Sequence, residues 1–140
     1  MLWEQTITLY NKHEDEQTGA VRWYRHKLNK CFFKNTNTKA NIGGVQIKTD
    51  DSVVRIPVQS KYLPPHKWLN IPNDEKPTKL TLQPGDLIFF GDVSEEIDEY
   101  TSGKRSSDLI AKYKTLGSLY ITSVNINDWM YGQHYFVKGE

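Results

Sequence analysis

The sequence predicts a mainly β fold: a small antiparallel β-barrel or sandwich with one short α-helix and long loops. Short stretches in which apolar and polar residues alternate recur along the chain, and clusters of Gly, Pro, Asn and Asp separate them. Only one stretch has the spacing of an amphipathic helix. Because 140 residues suit a single domain, we expect residues 1–140 to form one barrel-like unit of short strands.

The N-terminal part of the chain predicts a β-hairpin. Apolar and polar residues alternate over Gln5–Asn11, residues 14–19 are typical of a turn, and Ala20–Lys27 alternates again. Cys31–Phe33 continues or restarts the second strand. The polar, Asn-rich residues 34–44 that follow predict a long loop.

The middle of the chain predicts two strands followed by a second long loop. The strands are Val45–Lys48 and Val53–Val58, and Pro57 indicates a sheet edge or a bulge because proline cannot donate a ladder hydrogen bond. Four prolines within residues 60–78 indicate that no regular element forms there. Apolar residues in that loop indicate that part of it is buried.

The C-terminal half predicts strands around one helix. Lys79–Leu82 alternates, and the apolar run Leu87–Phe90 is typical of a strand buried on both faces. A third long loop is expected over residues 92–105. The helix is expected over residues 106–116, with Ser106 as its N-cap and a position plugging one end of the barrel. Two strands follow: Ser118–Asn125 and His134–Val137.

Charge is unevenly distributed along the chain. The formal net charge is +1, but residues 1–70 carry +5 and residues 71–140 carry −4. A basic run with no acidic residue spans Arg22–Lys39, and acidic residues cluster over Asp92–Glu99. Opposite patches suit self-association or DNA contact, whereas the alternative is that the two runs neutralise each other within one molecule.

No sequence pattern predicts catalysis, a metal or a cofactor. Cys31 is the only cysteine, no nucleophile or phosphate-loop signature is present, and the four histidines are scattered without ligand spacing. We therefore expect a non-enzymatic protein. Basic and aromatic residues interleave over Arg22–Lys27 and Lys30–Lys34, which is typical of a barrel that binds single-stranded nucleic acid. This binding module is the alternative function, although the same pattern occurs in strands with one solvated face.

Four segments of the C-terminal half carry a resemblance to a known class of protein: Leu82–Val93, Ser107–Tyr113, Ile121–Asn125 and His134–Gly139. Together with the opening Ile7–Tyr10, they resemble the small head-closure, or stopper, proteins from the head-tail joining gene cluster of long-tailed phages and prophages of Gram-positive bacteria. The shared pattern is a strand entered by a Gly-Asp turn, an acidic loop, a short helix, a Thr-Ser-Val strand and a terminal strand with His and an aromatic residue.

The resemblance implies a virion structural protein in the neck of the particle, assembled in the bacterial host cytoplasm. The chain would form a homo-oligomeric ring, a hexamer or dodecamer, below the portal or adaptor protein and above a tail-terminator or tail protein. It would retain packaged double-stranded DNA, with non-specific contact to that DNA possible, and it would not involve a membrane.

The ring hypothesis assigns roles to three sets of residues. Charged pairing between neighbouring subunits is expected at Arg22, Arg25, Lys27, Lys30, Asp92, Glu95, Glu96 and Glu99. Docking of a partner protein is expected at Tyr62, Trp68 and Leu69, whereas the alternative is that Trp68 and Leu69 fold back on the body of the protein. The residues expected to face the DNA or the channel are Lys34 and Lys39.

Overall fold

The protein is a closed antiparallel β-barrel, which confirms the predicted mainly β class. The computed structural model describes residues 4–15, 17–42, 45–57, 60–113, 117–129 and 132–139. The strands follow the order β1-β2-β3-β6-β5-β4 around the barrel, and β4 pairs with β1 to close it. Their bounds are β1 Gln5–Glu14, β2 Val21–Ile42, β3 Val45–Pro57, β4 Leu87–Phe90, β5 Ser118–Trp129 and β6 Gly132–Gly139.

Strand β2 turns a corner of the barrel. Its first half pairs with β1, and from Phe32 onward it pairs with β3. The change of partner coincides with a register shift opposite Gln5 and with a positive φ of 58° at Lys30. An irregularity of this kind bends a strand and lets it pass from one face of a barrel to the next.

The barrel interior is filled by aliphatic side chains from all six strands, which we call the interior core. Ile7 and Leu9 of β1 pack with Ile88 of β4, and these side chains are fully buried. The predicted strand over Lys79–Leu82 does not form: the segment makes one isolated bridge, from Leu80 to Tyr62. Leu80 and Leu82 nevertheless belong to the interior core, which explains their alternation.

A second hydrophobic cluster, the outer core, covers the opposite face of β1 and β4. The confirmed strand β4 alternates between the two cores, with Ile88 inside and Leu87 and Phe89 outside. Helix α2 (Ser106–Lys112) packs Leu109 on this outer face. The prediction that the helix plugs one barrel end was therefore wrong.

Helix α2 also differs from the prediction at both ends. Its N-cap is Arg105, and the Asp108 carboxylate accepts the backbone N–H of that residue at 3.2 Å. The helix ends with Tyr113 as its C-cap, before the expected residue 116. Residues 114–116 lie outside the described part of the chain.

The end of the barrel is covered instead by residues 60–82, which we call the capping segment. It contains helix α1 (Pro65–Asn70) and a short 3-10 helix (Lys76–Thr78), where no regular element was expected. The prolines do not prevent these helices because they occupy the first turn, where a backbone N–H has no intrahelical partner to lose.

The expected loop over residues 34–44 is instead part of a long hairpin between β2 and β3. The ladder continues from Lys34 opposite Val53 to Ile42 opposite Val45. Strand β6 ends with Gly139 opposite Ser52, so residues 36–42 and 45–51 pair only with each other within the described chain. We call these two stretches the hairpin arm. The polar, Asn-rich sequence of residues 34–44 predicted a loop because it lacks the alternation that is typical of a strand with one buried face.

Candidate functional site

The outer face of β2 carries two of the basic residues that were expected at a subunit interface, Arg25 and Lys27. Arg25 donates from Nε to the backbone oxygen of Val93 at 2.5 Å, and its Nη2 lies 3.2 Å from Asp92. The ammonium of Lys27 lies 3.3 Å from the other oxygen of Asp92. Basic and acidic residues that are distant in sequence thus meet within one chain.

The rest of the acidic loop (residues 91–105) is held in the same way. The indole N–H of Trp23 donates to Glu99 at 3.0 Å, and the same carboxylate oxygen accepts the backbone N–H of Ser106. Glu95 forms an ion pair with Lys112, and its side-chain contact with that lysine lowers the pKa of the carboxyl group. The loop is therefore a fixed layer over the outer core.

These contacts correct the expected pairing between subunits for five residues: Arg25, Lys27, Asp92, Glu95 and Glu99 are engaged within the chain. The alternative, in which the two charged runs neutralise each other internally, describes them better. Arg22, Lys30 and Glu96 are exposed and form no ion pair with any described residue. Those three stay candidates for an interface.

The expected docking residues of the capping segment are largely turned inward. Trp68 is fully buried: its indole N–H donates to the backbone oxygen of Lys79 at 3.2 Å, and its ring contacts His13 and Tyr24 edge-on. Of the two alternatives for Trp68, folding back on the body of the protein is therefore correct and partner docking is wrong. Tyr62 is half-buried against Tyr135, with ring centroids 4.4 Å apart. Leu69 remains 46% exposed and is the candidate that can still meet a partner.

The expected DNA-facing lysines lie on the second half of β2. Lys34 is exposed. Lys39 lies in the hairpin arm, on the part of β2 whose side chains are outside the described residues. Lys34 therefore lies at the base of the arm. The expectation that Lys39 faces DNA or the channel stays a prediction.

A buried carboxyl group lies where the turn before β4 meets β1. Asp86 is fully buried, and it accepts hydrogen bonds from Asn11 Nδ2 at 2.7 Å and from the backbone N–H of Lys12 at 2.9 Å. Burial raises the pKa of Asp86 to about 7, and these hydrogen bonds offset part of the rise. Asn11 also donates from Nδ2 to the backbone oxygen of Thr81 and accepts the backbone N–H of Thr81 at Oδ1. These hydrogen bonds link the capping segment to the barrel.

An open cavity of about 610 Å³ lies between the first half of β2, the end of β3 and the capping segment. Its walls are residues 25–30 of β2, Pro57 at the end of β3, and Lys61, Pro77 and Leu80 of the capping segment. We call it the β2 cavity. Sequence reasoning did not single out His26 and Lys61 as neighbours because the cavity forms only when the capping segment folds back.

The described residues do not present a ready-made metal site: no three His, Cys, Asp or Glu side chains cluster among them. Cys31 is buried in the interior core, and burial raises the pKa of its thiol to about 12. None of the helices in the described part of the chain has the length and hydrophobicity needed to span a membrane.

Comparison with known proteins adds one family relationship. The family model DUF6751, described as a family of unknown function, matches residues 2–140. The chain belongs to this family. The match covers the whole barrel, including the hairpin arm and the capping segment. No curated protein and no solved structure matches the chain significantly.

Proposed function

We propose that this member of the DUF6751 family is a non-enzymatic virion protein, a ring subunit of the head-tail connector in a long-tailed phage or prophage. The sequence resemblance to head-closure proteins supplies the class. The hairpin arm is the observation that carries the proposal, because within the described chain its two strands pair with each other and with no third strand.

The arm has the properties of an element that is completed by a neighbour. Its seven residue pairs, from Thr36 opposite Asp51 to Ile42 opposite Val45, have no third strand on either side within the described chain. An isolated two-stranded ribbon is marginally stable in water, and a long free strand edge invites pairing with another chain. A second subunit placed beside the arm would supply the missing contacts, and heterologous contacts of this kind close into rings.

The exposed charges suit the same role. Arg22, Lys30 and Glu96 stay exposed after the internal ion pairs are formed. In a ring they would lie at the rim of an interface, where charges determine orientation and partner choice more than affinity. Lys34, at the base of the arm, would provide non-specific contact with DNA phosphates if the arm faces the channel.

The nucleic-acid-binding alternative is less well supported because its aromatic residues are engaged within the chain. Trp23 belongs to the outer core, Tyr24 packs on Trp68, and Phe33 packs on Phe90 with centroids 5.7 Å apart. A stacking platform for bases requires open ring faces. The expectation that these rings form such a platform is therefore not part of our proposal.

The decisive experiment is cryo-electron microscopy of any phage-like particle made by the strain that encodes this chain. We expect density for the barrel in a ring on the axis between capsid and tail. A particle that lacks the chain would contradict the proposal.

A variant tests the arm separately. Because Asn35 lies opposite Ser52, residues 36–51 can be replaced by a two-residue Asn-Gly turn without changing the barrel register. The shortened chain should keep its cooperative thermal transition and lose incorporation into the ring. Incorporation at the level of the full chain would show that the arm is not the assembly element.

A further inference from the structure

Four basic residues border the β2 cavity: Arg25, Lys27, Lys30 and Lys61. Because the side chains of Arg25 and Lys27 turn to Asp92 on the outer face of β2, the cations available to the cavity are Lys30 and Lys61. None of the described residues that border the cavity is an Asp or a Glu. The volume of about 610 Å³ falls in the range of ligand sites in proteins, roughly 300–1,000 Å³. A cavity with this lining suits an anionic ligand.

Two of the four cations are uncommitted. Arg25 and Lys27 are paired with Asp92 on the outer face of β2. Lys30 and Lys61 are exposed and form no ion pair with a described residue. These two lysines reach the cavity from different elements, one from the corner of β2 and one from the capping segment, so an anion between them would bridge the barrel and its cap.

His26 supplies a polar group on the inner wall. The side chain is 9% exposed, and its Nε2 atom is buried without a hydrogen-bond partner among the described residues. Burial, together with the positive charges of Lys61 and Arg25, lowers the pKa of His26 to about 4, so the ring is neutral at pH 7. His26 is therefore a neutral ring beside the cavity, and its signals can report on an anion bound there.

The backbone at Lys30 has a conformation that is unusual for lysine. This residue has a φ of 58°, a region that favours glycine and costs a side-chain-bearing residue of order 1 kcal/mol or more. Glycine would occupy the position with less strain, so Lys30→Gly removes the charge without disturbing the bend of β2.

We propose that the β2 cavity binds a phosphate group, carried either by a nucleic-acid backbone or by a small phosphorylated molecule. Lysine ammonium groups bind phosphate as point charges, whereas planar carboxylates are preferentially held by the arginine fork. The one arginine at the cavity already donates to Val93 and Asp92. Pro57, Pro77 and Leu80 line the cavity with apolar surface for the remainder of the ligand. The inference is independent of the ring role.

Nuclear magnetic resonance of the histidine rings tests the site in the full chain. Inorganic phosphate and a single-stranded thymidine oligonucleotide are titrated separately, with chloride at equal ionic strength as the reference. We expect phosphate to shift the His26 ring signals and to leave those of His66, which is exposed on α1, unchanged. A shift with both probes identifies a nucleic-acid backbone as the source, and a shift with inorganic phosphate alone identifies a small phosphorylated molecule.

Lysine variants show whether the shift arises in the cavity. Lys61→Gln should weaken phosphate binding about three- to tenfold, because it removes one charged contact near the surface. The matched control Lys67→Gln removes an exposed lysine of α1 that does not line the cavity, and it should leave the affinity unchanged.

Lys30→Gly separates a ligand role from a structural one. It should lower the phosphate affinity by a similar factor while keeping or raising the melting temperature, since glycine adopts the positive φ without strain. If neither probe shifts His26 beyond the chloride reference, or if Lys61→Gln and Lys67→Gln bind phosphate equally well, the proposal is overturned.

Discussion

The interior core and the outer core differ in the elements that they join and in the side chains that they bury. The interior core joins strands on all sides of the barrel through aliphatic side chains such as Leu119 and Ile88. The outer core joins one face of β1 and β4 to a loop and to α2, and it relies on aromatic side chains with polar ends. Tyr10, for example, packs edge-on against Phe89 and donates its hydroxyl to the backbone oxygen of Glu95 at 2.5 Å.

This difference shows how one short strand can hold two layers together. Because β4 alternates between the cores, loss of its interior contacts should affect the whole molecule, whereas loss of outer contacts should release only the acidic loop and α2. Regions with fewer contacts open at lower free energy than the global unfolding transition. Each of the following changes tests that separation.

The largest effect is expected from a cavity in the interior core. Leu119→Ala removes a fully buried side chain and should lower the free energy of unfolding by about 3 to 4 kcal/mol. Urea denaturation followed by far-ultraviolet circular dichroism measures the loss. Hydrogen exchange should accelerate in all six strands, and acceleration confined to β5 would contradict a single interior core.

A pH-dependent effect of similar or smaller size is expected where the interior meets the capping segment. The pKa of Asp86 rises from 3.8 to about 7 on folding, so between these values the folded chain holds a proton that the unfolded chain has released. The contribution of this group is therefore full below about pH 4 and is lost as the pH rises to about 7. The lost free energy is of the order of 2 to 4 kcal/mol.

Comparison with Asp86→Asn isolates this contribution. The free energy of unfolding of the original chain minus that of the variant should fall from pH 4 to pH 7 and stay level above pH 7. The depressed pKa of His26 gives a slope of opposite sign, but it cancels because both proteins contain that residue. A difference that does not change with pH would show that Asp86 is ionised throughout.

A smaller effect is expected in the outer core. Leu109→Ala truncates the buried residue of α2 and should cost about 2 kcal/mol, near the low end for such changes because the helix can move toward the space. Hydrogen exchange should increase in α2 and the acidic loop and stay near its original rate in β3 and β6. An equal increase in those strands would mean that the two cores unfold as one unit.

The smallest effect is expected at the surface. Lys112→Ala removes the ion pair with Glu95. Because Lys112 is exposed and Glu95 is partly exposed, solvent and salt screen the pair, and we expect the smallest change in melting temperature of the four variants. Thermal melts at low and high salt measure it. A loss as large as that of Leu109→Ala would show that this pair, rather than packing, holds α2 to the loop.

The sequence predicted the fold where burial leaves a pattern. The run Leu87–Phe90 is apolar at every position because its two faces lie in two cores. The hairpin arm shows alternation only in its second strand, at Val45–Lys48, whereas its first strand is polar and Asn-rich and therefore predicted a loop. Pro65 and Pro77 indicated a loop because proline breaks a helix interior, yet both occupy first turns.

The candidate site was less predictable because it forms between segments that are distant in sequence. Arg25 meets Asp92 across 67 residues of sequence, and sequence alone left contact within one molecule and contact between molecules equally open. The alternation of β2 does place His26 on the same face as Leu28, which is a recognisable signal for a buried histidine. Its neighbour Lys61 becomes apparent only when the capping segment is in place.

The pairing of β1 with β4 also affects how the protein can fold. Thr8 contacts Gly91 across 83 residues of sequence, and β3 finds its second neighbour only in β6, at residues 132–139. Contacts of such long range slow folding, because the entropy of closing a long loop is lost before the contact forms. On the ribosome, the β1–β2 hairpin emerges early but must wait for nearly the whole chain before the barrel closes. Until then its apolar face is open to chaperones.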